Sequence, residues 1–198
     1  MGKIEPITLS GRYVRLELLK IEHATDLYEV GKDPVLWRYM SGKGPHSVGD
    51  MEEYIAEALR DYKAGTALPF AIIALADGRV VGSTRIGNID QANRGVEIGW
   101  TWVTPAVQRS GINTECKYLL LRHAFEALGA IRVQLKTHHQ NLQSQRAIER
   151  LGATREGILR NHRVMADGLY LHSVIYSVIE SEWPVVKAHL EALQTMYA

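Results

Sequence analysis

The chain has 198 residues, of which 46% are hydrophobic and 23% charged, and its 23 basic and 22 acidic side chains leave a formal charge of +1. That length suits one domain, residues 1–198, with a substantial core; the composition excludes disorder or a coiled coil, and the charge balance gives no reason to expect nucleic acid or an anionic membrane as partner. A single cysteine, Cys116, rules out an intrachain disulfide, and with no secretory signal and no apolar run long enough to cross a membrane the expectation is a cytoplasmic protein.

Residues 12–18 alternate apolar and polar side chains over the length of a strand. Spacing turns helical over 22–30, Asp33 and Pro34 restart a short helical turn, and Trp37, Tyr39 and Met40 form an aromatic cluster. A loop at 41–45 leads to a helix that Ser47 or Asp50 caps and Gly65 ends. Residues 70–76 and 79–86 flank Asp77 and Gly78, a strong hairpin signal. In the next strand, 96–102, period two assigns Val96, Ile98, Trp100 and Trp102 to one face and Glu97, Gly99 and Thr101 to the other.

A turn opened by Pro105 then enters a helix whose stripe is Cys116, Leu119, Leu120, Ala124 and Ala127, closed by Gly129. Cys116 lies on that stripe and reads as a small buried hydrophobe. A strand over 131–137, a short helix between Asn141 and Gly152, a second hairpin (158–165 and 169–178, turning at Asp167 and Gly168) and a final helix from Trp183 complete the chain. Strand, tight turn and helix start at 100–125 make an anion cradle, because first-turn amides have no internal partner and carry the positive end of the peptide dipole. Gly111 allows a sharp turn or close approach there, and Arg109 adds a mobile charge.

Gln108, Arg109, Ser110, Gly111, Ile112 and Asn113 resemble the pyrophosphate-binding signature of the GCN5-related N-acetyltransferase superfamily, Gln/Arg-x-x-Gly-x-Gly/Ala. Asn113 departs from it, standing where Gly or Ala is usual. The order of elements is also similar over essentially the whole chain. Residues 111–115, the helix after Asn141 and the closing hairpin look like the branch containing the ribosomal-protein N-terminal acetyltransferases. The resemblance implies an α+β (α/β) fold: a mixed, mostly antiparallel twisted sheet of about seven strands flanked by helices, with a V-shaped splay between the fourth strand (96–102) and the fifth (131–137).

It also implies transfer of acetyl from acetyl-coenzyme A to a primary amine on a protein N-terminus, an amino acid or a small molecule, without a metal. Residues 108–114, including Thr114, would hold the pyrophosphate, the pantetheine arm would lie along the strand ending at Trp102 and Val103, and Asn141 would bond the pantetheine amides. Glu97, eleven residues before Gln108, occupies the place of the glutamate that serves as base in histone-acetylating relatives; pairing with a cation or facing water would equally explain it. The tyrosine that protonates the leaving thiolate in many relatives, seven residues after the Asn, is absent, Ile148 standing in its place. Ser144 is the proposed acid of the ribosomal-protein branch, with helix capping or core satisfaction as its other reading. Trp37 and Tyr39 would line the acceptor pocket, unless they simply pack.

His138 and His139 look like a metal pair, but strand neighbours point to opposite faces and no ligand cluster accompanies them. A P-loop phosphotransferase is excluded by the absence of a Gly-Lys-Ser/Thr ending. A catalytically inactive acyl-CoA-binding or regulatory module is the rival reading, and the closing hairpin could pair across a homodimer.

Overall fold

The computed structural model describes residues 1–40, 44–165 and 168–196. Eight strands, β1 (Leu9–Ser10), β2 (Val14–Leu18), β3 (Leu68–Ala74), β4 (Val80–Asp90), β5 (Gly95–Val103), β6 (Arg132–His138), β7 (Thr154–Val164) and β8 (Tyr170–Ile179), accompany five helices, α1 (Ala24–Gly31), α2 (Val48–Lys63), α3 (Gly111–Arg122), α4 (Leu142–Arg150) and α5 (Trp183–Thr195). One sheet takes the order β1-β2-β3-β4-β5-β6-β8-β7. Every neighbouring pair is antiparallel except β5 and β6. The sequence implied about seven strands; the extra one is the two-residue β1, too short to show alternation.

The helices cover both faces. Leu120, Phe125, Trp183 and Leu190 join Ile86, Ile98 and Val133 in a core between the sheet and α3 and α5. Leu27, Met51 and Ile55 join Ala71, Ile73 and Trp102 in a second core beneath α1 and α2. Local chemistry sets the ends as expected: Ser47 accepts from the Asp50 amide to cap α2, and Gly65, Gly78, Gly129 and Gly152 adopt left-handed angles where elements end or turn. Within the closing hairpin, Asp167 lies outside the described residues, as do residues 41–43 of the first loop.

β5 breaks the expected alternation. Its register against β4 shifts between the Ser83–Trp102 and Arg85–Gly99 pairs, so Trp100 and Thr101 face Thr84 alone. Trp100 takes φ +50°, an uncommon angle for a bulky side chain and one at home in a bulge. The extra residue exchanges the faces: Val96 and Ile98 enter the α3-side core, whereas Trp102 enters the α1–α2 core and Thr101 meets Lys117 of α3. Glu97, Gly99, Trp100 and Trp102 therefore share the α1–α2 face, and Thr101 does not.

A buried carboxylate fixes α3 against the start of the sheet. Glu115 accepts the backbone amides of Arg12 (2.7 Å), Tyr13 (2.6 Å) and Val14 (2.8 Å) at the β1–β2 turn. Gly11 makes room for it, since a Cβ there would stand 2.3 Å from the carboxylate carbon. Replacing Glu115 by Ala leaves three amides without their charged acceptor, and the expected loss is roughly 3 kcal/mol or more. Urea unfolding of E115A, read as a fall in midpoint at unchanged slope, measures it.

Candidate active site

β5 and β6 pair over only three positions, Gly95–Arg132, Val96–Val133 and Glu97–Gln134, and then separate. Beyond that point β5 runs on to Val103 and β6 to His138 with no ladder between them. The gap exposes strand-edge backbone in the middle of a sheet, where an extended chain of suitable length can pair. The splay agrees with the sequence expectation.

At the outer end of β5, a 3₁₀ turn at Pro105–Val107 precedes Gln108, Arg109 and the Ser110 cap of α3. Ser110 Oγ donates to the Val107 carbonyl (2.6 Å) and accepts from the Ile112 amide (3.3 Å). Among the described residues, the amides of Arg109, Ser110 and Gly111 find no acceptor. They stand together at the positive end of a twelve-residue helix. The left-handed residue of the turn is Arg109 (φ +60°), not Gly111 or Asn113, both of which lie in the first turn of α3. The departure at Asn113 thus leaves the turn geometry untouched. A cavity of about 410 Å³ opens beside Ser110, Gly111 and Ile112, walled on its other side by Arg12, Tyr13 and the end of β3.

The two lips of the gap are bridged by side chains. Gln108 Nε2 donates to the Val103 carbonyl (3.4 Å) and Gln108 Oε1 accepts from Gln143 of α4 (3.2 Å). Thr114 accepts from Arg150 (3.1 Å), tying α3 to α4. Asn141 caps α4, its Oδ1 accepting from the Ser144 amide at 3.0 Å, and Ser144 is half-buried in that first turn. Val103 packs on the α3-side core.

Glu97 sits at the base of the gap, 3% exposed. Its Oε2 accepts from Asn88 (2.9 Å), Gln134 (3.3 Å) and Lys136 (2.9 Å), the last an ion pair across β5 and β6. Its Oε1 lies toward Gly99, where an added Cβ would stand 3.1 Å away. The cationic partner foreseen as one alternative is therefore present, and the carboxylate also faces the small residue on the α1–α2 side. Trp37 is buried, donating to the Gly31 carbonyl at 2.7 Å and packing 5.3 Å from Trp102. Tyr39 is half-buried with its ring 5.1 Å from His138, near the open end of β6.

His138 and His139 do not point to opposite faces: β6 ends at His138, and the rings stack at 4.6 Å. Among the described residues no group of three or more His, Cys, Asp or Glu is arranged to hold a metal. His138 titrates below the usual range because of burial, then of the neighbouring His139 and His172. Cys116 is buried as expected, and burial pushes its thiol up to about 11.

Several residues of this region carry no signal in sequence. Asn88, Gln134 and Lys136 reach Glu97 only through strand pairing. Arg85, 2% exposed, lies on the α1–α2 face, and its Nε has no hydrogen-bond partner; the same holds for Tyr54 Oη and Trp102 Nε1. Ser83, Thr84, Gly87 and Asn88 surround Arg85 in sequence, so nothing local flags it. Lys117, 6% exposed on α3, donates to Thr101 Oγ1 (2.5 Å), which also contacts Thr84 Oγ1 (2.7 Å).

An acetyltransferase (GNAT) domain family model matches residues 14–154. The chain belongs to that family. It is 35% identical over 114 residues to YdaF of Bacillus subtilis (strain 168), a protein provisionally named a ribosomal N-acetyltransferase, covering 55% of this chain and 58% of that one. The match thus spans little more than half of that relative's length. A GCN5-related N-acetyltransferase from Brucella melitensis superposes with a TM-score of 0.89 at 32% identity, over 96% of this chain and 86% of that one. RimJ of Mycobacterium smegmatis, in complex with CoA-disulfide, shares the fold with a TM-score of 0.84 at 24% identity, over 98% and 97% of the two chains.

Burial pushes Lys117 down to about 8 from an ordinary value of 10.5. The unfolded chain keeps this proton up to its higher value, so between the two the unfolded state binds more protons than the folded one, and stability rises with pH. Urea midpoints should therefore increase for the native protein between about pH 8 and 9, below the point where the Cys116 thiol, raised from 9.0 to about 11, begins to offset the gain, and the Lys117→Met variant should lose the increase.

Proposed function

We propose that this chain, acting as one unit over residues 1–198, transfers acetyl from acetyl-coenzyme A to a primary amine on a small molecule, an amino acid or a protein N-terminus. The observation that carries this reading is the conjunction of a sheet parted between β5 and β6 with unpartnered amides at the mouth of the same gap. The residues suit such a ligand: three free amides and the Arg109 charge match a diphosphate, and the open edge of β5 at Trp102 and Val103 matches an extended amide-bearing arm. Asn141 and Gln108 stand where its amides would pass. The kinship with YdaF favours a protein N-terminus among the acceptors.

When bound, acetyl-coenzyme A supplies a thioester whose carbonyl carbon forms a bond to the amine nitrogen as the carbon–sulfur bond breaks. The chain's own contribution is positioning, which can supply several kcal/mol of the barrier. An amine near its ordinary pKa arrives protonated and must lose a proton before it can attack. Glu97 takes that proton through Oε1, the oxygen its three donors leave open, while Lys136 pairs with Oε2 and orients the carboxylate. Ser144, on the opposite lip in the first turn of α4, returns a proton to the leaving sulfur. Trp37 shapes the acceptor side by fixing Trp102 from behind, and Tyr39 borders its entrance. Exposed Ile158 and Leu159 on the edge strand β7 would serve a homodimer.

The three donors crowded on Glu97 would also be retained by a non-catalytic acyl-CoA-binding module. Calorimetry with coenzyme A, together with thiol release from acetyl-CoA against an amine panel, separates the two. The expected result is binding with turnover, a fall in kcat of roughly 10²- to 10⁴-fold in Glu97→Gln, and a smaller fall in Ser144→Ala, both at unchanged coenzyme A affinity. Binding without turnover selects the module, and no binding removes both readings.

A further inference from the structure

The α1–α2 face holds a buried cation that the chemistry above does not use. Arg85 projects from β4 between two rings, its guanidinium 4.9 Å from the Tyr54 centroid and 5.6 Å from that of Trp100. Asp61 approaches one terminal nitrogen only to 3.7 Å, beyond hydrogen-bond distance, and is itself 47% exposed. Among the described residues Nε has no hydrogen-bond partner. A guanidinium carries five donors in a planar fork, and leaving its Nε–H buried and unbonded is costly. A cavity of about 90 Å³ opens against it, lined by Asp61, Thr66, Arg85, Gly87, Asn88 and Trp100. That is roughly the share of three waters in the liquid, enough for a carboxylate.

The cavity adjoins the proposed reaction centre. Asn88, in its wall, takes a left-handed backbone (φ +47°) and donates to Glu97. Arg85 pairs with Gly99 and Gly87 with Glu97, which makes Arg85 and Glu97 diagonal neighbours on one face, their Cα atoms roughly 7–8 Å apart. The orphaned group at the cavity, Arg85 Nε, can only donate, so what it lacks is an oxygen acceptor.

We propose that this cavity is the acceptor's anchoring subsite, in which the unpaired edge of the Arg85 guanidinium binds a carboxylate carried by the same molecule that presents its amine to Glu97. The acceptor class is thus an amine bearing a carboxylate, supplied either by a free amino acid or by the side chain of an acidic N-terminal residue of a peptide. The side-on fork matches the two carboxylate oxygens, and the flanking rings keep water from competing. The assignment rests on the transferase reading above.

The test uses acetyl-CoA with matched amines: alanine, β-alanine and glutamate, their carboxamides, the corresponding alkylamines, and dipeptides beginning with Asp, Glu, Asn or Gln. At least one carboxylate-bearing amine should exceed its amide in kcat/KM by on the order of a hundredfold. Preference among free amino acids assigns the first source, and preference for Asp or Glu dipeptides the second. Arg85→Met should remove the preference while leaving calorimetric coenzyme A affinity unchanged, and Arg85→Lys should restore part of it. Asp61→Asn, at a half-exposed position, removes the competing charge and should lower KM for the carboxylate acceptor about threefold. It should tighten calorimetric binding of the same acceptor to the coenzyme A complex equally. Equal use of acids and amides, an equal loss on all acceptors in Arg85→Met, or failure of every carboxylate-bearing amine while coenzyme A still binds overturns the assignment. Failure to bind coenzyme A overturns the transferase reading instead.

Discussion

Two parallel strands that stop pairing after three residues set the terms for the rest of this molecule. A sheet gains stability by satisfying its backbone groups laterally, so a gap in its middle must be closed at one end and made useful at the other. The closed end is polar. Glu97 of β5 gathers Gln134 and Lys136 of β6 and Asn88 of β4 around one oxygen, crosslinking three adjacent strands where the ladder ends. The open end is flanked by α3 and α4, which meet through Thr114 and Arg150 and through the Gln108–Gln143 contact.

The bulge at Trp100 then decides which side chains meet which partners. Without it, Trp102 would follow Ile98 into the α3-side core and Thr101 would follow Glu97. With it, both cores are served by one strand, and Lys117 finds a hydroxyl rather than an indole. The α1–α2 face consequently collects Glu97, Trp100, Trp102 and Arg85, a set rich in donors, while the α3 face delivers the helix whose first turn has amides to spare. The polar side chains and the spare amides thereby lie on opposite faces of a single strand.

Much of this could be read from the chain alone, because local chemistry is explicit where elements begin and end. Ser47, Gly65, Asp77 with Gly78, Asn141 and Gly152 each mark a terminus or turn that the structure contains. The start of α3 was legible because Ser110 and Gly111 open a helix directly after an apolar strand. Three things were not. β1 is two residues long and exists only through its neighbour β2. The alternation in β5 fails because a bulge depends on the register of the partner strand, which no single strand encodes. The partners of Glu97 come from positions 88, 134 and 136, distant in sequence and brought together by topology. For the same reason Arg85 resembled an ordinary polar position of a half-exposed strand until its burial was seen.

Three residues bordering the candidate site, Asn88, Trp100 and Arg109, hold left-handed backbone angles without being glycine. A glycine at these places would relax easily between conformers; a residue with a Cβ has few alternatives and stays only because its surroundings enforce the angle. The conformational freedom of these turns is consequently surrendered when the chain folds, before any ligand arrives, and a ligand entering the gap meets walls already in shape.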